Sequence, residues 1–293
     1  DLVRSRGLGD VYKRQKLPIQ IIKSIKERHS VRTYLDKTLE PKIKETLQGY
    51  MDSLENPFGM PVKKYMIDKE LASGGEKLGT YGIIKGANTF LGISVPDIDL
   101  AHVAAGYEFE NLILEATALG LGTVWLAATF NREGFASAMG IPKDELFPAI
   151  SPVGYPAAKR SMTESLMRTA MRSSTRKEWK TLFYLDNFQT PLTKNDAGNY
   201  TEPLEMLRLA PSDKNTQPWR VLKSGNCYHF YVTYKSGISR GEEIIKRVDA
   251  GIALSHFHQT VLELGLKGYF KQTEPGNVGL PKNTNYITSW YTE

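Results

Sequence analysis

The sequence predicts an α+β protein made of two related halves, each a small sheet packed by helices. Three observations carry that reading. Apolar residues recur at helical spacing in some segments and crowd into short strand-like runs in others. The two kinds of segment do not alternate as regular strand–helix–strand units. One unit also occurs twice: a long helical segment, then Ala118-Leu119-Gly120-Leu121-Gly122 or Glu263-Leu264-Gly265-Leu266-Lys267-Gly268, then a strand. Glycine after an apolar helix is common enough for one such echo to arise by chance. Matching helices upstream in each half point instead to internal duplication.

In chain order, Ile21, Ile22 and Ile25 predict a helix over residues 18–28. Pro41, favoured in a first helical turn, opens a second helix with Ile43, Leu47 and Met51 on one face. Strands are predicted at 62–67 and, interrupted by glycine, at 83–95. The longest helical signal covers 100–119 and stops at Gly120. Residues 123–130 read as a buried strand and 149–155 as another, followed by a polar, basic stretch over 159–180. The second half is shorter. It holds a helix at 203–209, a hairpin of 219–223 and 228–234 around Gly225-Asn226, a long helix over 249–264 and a strand at 266–271. The predicted organisation is a non-native or disordered leader over 1–15, a first half over 16–185 and a second half over 186–293, the halves forming one unit.

Composition narrows the function. Of 293 residues, 41% are hydrophobic and 24% charged, enough apolar content for a sizeable core. The net charge of +6 suits an anionic cofactor or nucleic acid. Nucleic acid is disfavoured, because the sequence has no zinc-knuckle spacing, aromatic RNA-binding signature or long Lys/Arg block. No apolar run approaches the ~20 residues needed to cross a bilayer. The lone cysteine, Cys227, cannot form an intrachain disulfide, so a reducing, cytoplasmic setting is expected. Residues 1–15 are basic, lack apolar periodicity and do not begin with Met, and are set aside as a tag, leader or translated non-native sequence. His102, His229, His256 and His258 have no cysteine or carboxylate partner at metal-ligand spacing, and no metal is expected.

Two motifs carry chemistry. Arg28-His29-Ser30-Val31-Arg32 puts two guanidiniums and a hydroxyl at a predicted helix end. Arginine makes planar, charge-assisted, bidentate bonds to phosphate, and serine adds a neutral donor. By itself the cluster reads more readily as a solvated basic helix end. The second motif runs from Ala210 through Pro211, Ser212, Asp213, Lys214, Asn215, Thr216, Gln217 and Pro218 to Trp219. Prolines stiffen it at both ends, and its amides and hydroxyls suit a planar heterocycle with polar edges. The plainer alternative is a turn leading into a strand, yet this is the more specific signal of the two.

Both motifs resemble hallmarks of the FMN-dependent nitroreductases, as do the segments 118–131 (ALGLGTVWLAATFN) and 151–157 (SPVGYPA). The resemblance extends over residues 21–271. It implies a nitroreductase-like fold, FMN as cofactor and NAD(P)H as co-substrate. Ordinary members carry both motifs in one half-length chain that dimerises, with each FMN at the interface. Here the motifs lie about 180 residues apart, one in each half. That arrangement resembles the single-chain, thermophile-type branch, in which one polypeptide imitates the dimer. Dimerisation is then not needed to bind the cofactor, and a monomer is compatible with function.

By the same resemblance, Arg28 and Ser30, with His29 in the same cofactor-binding segment, hold the phosphate or ribityl end. Arg176 clamps the phosphate, with Arg172 or Lys177 as alternatives. Arg32 faces the pyrimidine edge, where a fixed cation stabilises negative charge on reduced flavin. A backbone N–H at Leu126 or Ala127 meets flavin N5, and Pro211, Ser212 and Asn215 close over the ring from the other half. Trp219 reads as a core anchor for the loop rather than a substrate contact, and Trp125 as either of the two. The pseudo-symmetric site would need a Pro-Ser-Asn loop in the first half and an Arg-Ser-Arg motif in the second. Residues 56–61 (NPFGMP) and 184–188 (YLDNF) stand there instead, so one FMN per chain is expected. The implied activity is ping-pong electron transfer from NAD(P)H to a small-molecule acceptor: a nitroaromatic, a quinone or a similar conjugated compound. FMN performs the redox chemistry, so no catalytic side chain is required. A flavin-fragmenting or dehalogenating relative and a non-catalytic flavin-binding protein stay open as alternatives.

Overall fold

The computed structural model describes residues 20–69, 78–158, 175–273 and 275–293. Helix α1 (Ile21–Glu27) buries Ile21 and Ile25, and Glu263 from the far half accepts the Ile22 N–H at 2.9 Å. Helix α2 (Pro41–Ser53) starts on its proline and buries Leu47 and Met51. Strands β1 (Lys63–Asp68), β2 (Thr89–Val95), β3 (Gly122–Thr123) and β4 (Leu146–Gly154) form an antiparallel sheet in the order β1-β2-β4-β3. Helix α3 (Asp99–Ala118) packs beside β2, which is buried along its whole length. The short helix α4 (Arg132–Met139) is capped by the Asn131 side chain and places Phe135 against Phe90 of β2, ring centroids 5.0 Å apart.

The second half contains β5 (Phe183–Leu185), β6 (Asn187–Pro191), α5 (Lys194–Ala197), α6 (Thr201–Leu209), β7 (Trp219–Ser224), β8 (Cys227–Thr233), α7 (Arg240–Glu263), β9 (Gly268–Lys271) and β10 (Thr284–Thr292). Its six strands lie in the order β6-β5-β7-β8-β10-β9, antiparallel except for the β5–β7 pair. The predicted hairpin closes at Ser224↔Cys227, around Gly225-Asn226.

Several elements differ from the sequence reading, two of them for a clear physical reason. Helix α7 begins at Arg240, not at 249. Its first turns are polar and lack apolar periodicity, but Ser239 and Glu242 form a reciprocal capping box that starts the helix. Residues 123–130 are not a continuous strand. The chain leaves the sheet after Thr123, touches it again through a Leu126↔Ile150 bridge, and turns Trp125 toward α3. Strand β10 and helix α4 were not predicted. The predicted leader over 1–15 and most of the basic stretch 159–180 (159–174) lie outside the described residues.

Helices α3 and α7 form the central packing contact between the halves. α3 is buried on every side from Ala101 to Ala116. The two helices cross at glycine. A Cβ on Gly106 would fall on the Val248 carbonyl oxygen, and one on Gly251 would fall on the Val103 carbonyl oxygen. The same spacing separates Gly106 from Gly251, Val103 from Val248, and the left-handed glycines that close the helices, Gly120 (φ 76) and Gly265 (φ 67). An approximate two-fold axis therefore runs between α3 and α7 and relates the two helix–glycine–strand units.

Candidate functional site

Between the halves, the loop after α1, the segment after β3, the loop joining α6 to β7 and the N-terminal half of α7 enclose a cavity of about 240 Å³. It brings together Arg28, Ser30, Arg32, Leu126, Ala127, Arg176, Pro211, Ser212 and Asn215. His29 is not among the lining residues. Its ring is exposed, with Nδ1 3.1 Å from the Glu27 carbonyl.

Backbone bonds hold the arginine segment in place. The Val31 N–H donates to the Thr123 carbonyl at 2.9 Å, and the Lys85 N–H donates to the Arg32 carbonyl at 3.0 Å. Arg28 is buried, its Nε 3.7 Å from Glu110 Oε1. Glu110 is fully buried on α3 and organises more than this arginine. It accepts the Trp125 indole N–H at 2.7 Å and lies 2.9 Å from His256 Nε2. Sequence reasoning passed over Glu110: α3 also carries Glu108 and Glu115, and nothing local sets one of the three apart. Arg176 donates through Nε and Nη2 to the Leu209 carbonyl, at 3.2 and 2.8 Å. Burial, with Arg28 and Arg208 nearby, pushes the Arg176 guanidinium down to about 10. Cations crowded in this way are relieved by an anion placed among them.

The proline-bounded loop is strained and cross-braced. Lys214, Asn215 and Gln217 take positive φ values of 50, 53 and 46°, at roughly 1 kcal/mol or more each for a residue other than glycine. The Gln217 N–H donates to Ser212 Oγ at 2.9 Å, and Asn215 Nδ2 donates to the Thr175 carbonyl at 3.0 Å. Gln217 Nε2 donates to Asn215 Oδ1 at 3.1 Å, while its own Oε1 accepts the Lys177 N–H at 2.7 Å. The Asn215 amide therefore braces the loop as well as lining the cavity. Trp219, 2% exposed, anchors the loop in the core. Trp125 is held by its bond to Glu110 and lines the cavity. Of the two candidate amides, that of Leu126 is taken by the Ile150 carbonyl at 2.9 Å, which leaves Ala127. Beyond Ala127, Ala128 and Lys214 the cavity adjoins an outer cleft of about 720 Å³, where Ile141, Leu146, Phe147 and Ile244 give an apolar wall beside Arg132 and Lys143.

At the two-fold-related position, aromatic rings fill the space. Residues spaced as Gly106 is from Gly251 correspond, so Phe270 stands for Trp125 and Tyr107 for Ile252. Phe58 packs against Tyr107 and Phe270 at 5.7 and 5.6 Å, and Phe270 against Trp290 at 5.0 Å. Asn56 fixes the Phe58 turn. Its Oδ1 accepts the Phe58 and Met60 N–H groups at 3.1 and 3.2 Å, and its Nδ2 donates to the Met60 carbonyl and to Glu108 at 2.8 and 2.6 Å. Asn56→Ala is expected to destabilise the fold by about 2 kcal/mol, read by urea denaturation, and to leave ligand binding in the arginine-lined cavity unchanged. Loss of that binding in a folded variant would contradict the assignment of 56–61 to a filled, structural position.

Two sheets packed by helices about an internal two-fold, with an arginine-edged slot between the halves, define a protein of the nitroreductase class. The family described as "Putative TM nitroreductase" matches residues 20–261, and the chain belongs to it. The structure is similar to that of a "putative nitroreductase" from Thermotoga maritima, at 20% identity and a TM-score of 0.60 over 94% of each chain. At that identity the likeness concerns the fold. Half-length proteins align over about half of the chain. A nitroreductase family protein from Clostridium difficile does so at 19% identity, covering 52% of this chain and 92% of its own, with a TM-score of 0.39. A nitroreductase with bound FMN from Bacteroides fragilis does so at 15% identity, covering 49% and 91%, also with a TM-score of 0.39. No curated protein matches the sequence.

Proposed function

We propose that the chain is an FMN-dependent oxidoreductase that passes electrons from NAD(P)H to a nitroaromatic, quinone or similar conjugated acceptor by a ping-pong mechanism. One observation carries the reading: two motifs about 180 residues apart in sequence, each apt for one end of a phosphorylated planar ring, line the same cavity. The donor set fits FMN. Guanidiniums and hydroxyls suit the phosphate and ribityl chain, and Trp125, Leu126, Ala127 and Pro211 offer apolar walls to a flat ring.

When bound, FMN supplies the redox chemistry, accepting a hydride equivalent and passing electrons on. Arg28, Ser30 and Arg176 hold the anionic tail. Arg32, only 7% exposed, presents a fixed cation to the pyrimidine edge, where its charge acts at low dielectric. The Ala127 amide is the donor to the ring's central nitrogen. The braced loop orients the ring from the far half, and the outer cleft admits donor and acceptor in turn. Because aromatic side chains fill the two-fold-related position, we assign one FMN to each chain and need no second subunit to complete the site. The single cysteine, buried and free, accords with a cytoplasmic setting; no described helix is long and apolar enough to cross a membrane.

Titration of the flavin-free chain with FMN is expected to saturate at one equivalent. Anaerobic NADPH or NADH should then bleach the yellow absorbance, and a quinone should restore it. Saturation at two equivalents would contradict the single site. Flavin that binds but stays yellow would make the chain a flavin-binding protein without turnover.

A further inference from the structure

Asp249 lies on α7 in the cavity wall, 3% exposed, and the function proposed above does not use it. Its Oδ1 accepts the Asp213 N–H at 2.9 Å, and Lys246 Nζ stands 3.4 Å from its Oδ2 while also reaching Asp213 at 3.2 Å. The internal two-fold gives a built-in control. The residue of α3 at the corresponding position is Ala104, fully buried beside the filled site. Helix packing at this position does not require a carboxyl, and only the half that faces the open cavity has one.

We propose that Asp249 is the proton donor of the cavity, handing its carboxyl proton to the acceptor being reduced. Facing it are Lys246 on its own helix, Asp213 and Lys214 on the loop, and Arg28, Arg32 and Arg176 in the other walls. The guanidiniums, hydroxyls and amides of the lining hold their protons at neutral pH. Asp213, the other carboxyl of the lining, is more exposed and lies closer to the lysine the two share, at 3.2 against 3.4 Å. Burial, only partly opposed by Lys246, pushes the Asp249 carboxyl up to about 7, so it carries an exchangeable proton in the working range.

The step balances with NAD(P)H as reductant. A quinone that receives a hydride equivalent from the cofactor needs one more proton to leave as the quinol. The O–H bond of Asp249 breaks, an O–H bond forms on the quinone oxygen, and the carboxylate takes a proton back from water. This delivery rests on the flavin reading, whereas the protonated state of Asp249 does not.

The two parts are tested separately. In the flavin-free chain labelled with 13C-aspartate, infrared titration from about pH 5 to about pH 9 should show a neutral-carboxyl band with a midpoint near 7. That band should be absent from Asp249→Asn, whose amide oxygen can still accept the Asp213 N–H. An aspartate that is ionised throughout the range overturns the proposal, and the native chain alone can show this. In the flavin-loaded protein, Asp249→Asn should slow quinone reduction by about 100-fold, abolish its pH dependence and leave bleaching by NAD(P)H intact. A variant that keeps the native rate and pH profile would assign Asp249 a loop-holding role and overturn the donor role. Failure to bind flavin at all would sink the oxidoreductase reading without touching the infrared result.

Discussion

Arg28→Ala is expected to weaken FMN binding by about 10- to 100-fold while leaving the affinity for riboflavin, which lacks the phosphate, nearly unchanged. A charge-assisted hydrogen bond contributes roughly 1.5–3 kcal/mol, and every 1.4 kcal/mol is about a factor of ten in affinity. That range applies here, because the Arg28 side chain is buried and held beside Glu110 at 3.7 Å. Its orientation is already fixed in the free protein, so little ordering opposes its bond to an anion. Removing it should also lift the smaller, charge-repulsion share of the depression of Arg176, which burial chiefly causes. Arg28→Lys keeps the charge but not the planar fork, and should fall between native and alanine. Quenching of flavin fluorescence measures these affinities. Equal losses for FMN and riboflavin would place Arg28 away from the phosphate and undo the orientation assigned to the ring.

How much of this was legible in the sequence depends on whether a signal was local. The Arg28–Arg32 segment and the 210–219 loop each spell their chemistry in consecutive residues, so both could be found. Their meeting in one cavity is a matter of tertiary structure, and only the family resemblance anticipated it. Gly120 and Gly265 marked the repeated helix–glycine–strand pattern because glycine after a helix is a local device. Gly106 and Gly251 passed unnoticed, because their reason is the approach of another helix. Glu110 and Asp249 were missed for a related cause: a single carboxylate on a helix carries no periodicity, and its value comes from partners far away in sequence, such as Trp125, His256 and Asp213. The 123–130 segment misled because an apolar run reads as a strand whether it pairs with a sheet or lines a cavity. Here it does mostly the second.

Gly251→Ala tests the axis on which the whole site depends, and its expected effect on stability is the largest among the substitutions considered. Alanine is the better helix former by about 1 kcal/mol, so an unconstrained helix would gain. At Gly251 the new methyl would fall on the Val103 carbonyl oxygen and 2.9 Å from the Tyr107 backbone nitrogen. These are backbone atoms of a helix buried on every side, and they cannot rotate away as a side chain could. The helices must separate, opening gaps in a core that includes Val103, Tyr107, Val248 and Ile252. Overpacking of this kind costs about 3 kcal/mol, roughly 6 to 12 °C of melting temperature for a chain of this size. Because Val248, Asp249 and Ile252 also line the cavity, flavin affinity should fall with stability. Gly106→Ala should behave alike, since it meets the Val248 carbonyl in the same way. Gly49 in α2 supplies the contrast. It is exposed with nothing within 4 Å of an added Cβ, so Gly49→Ala should stabilise by about 0.5–1 kcal/mol. Opposite signs for one substitution at two helical positions would separate helix crossing from helix propensity. A neutral Gly251→Ala would mean that the helices sit farther apart than the two-fold packing requires, and that the cavity between the halves is not fixed by it.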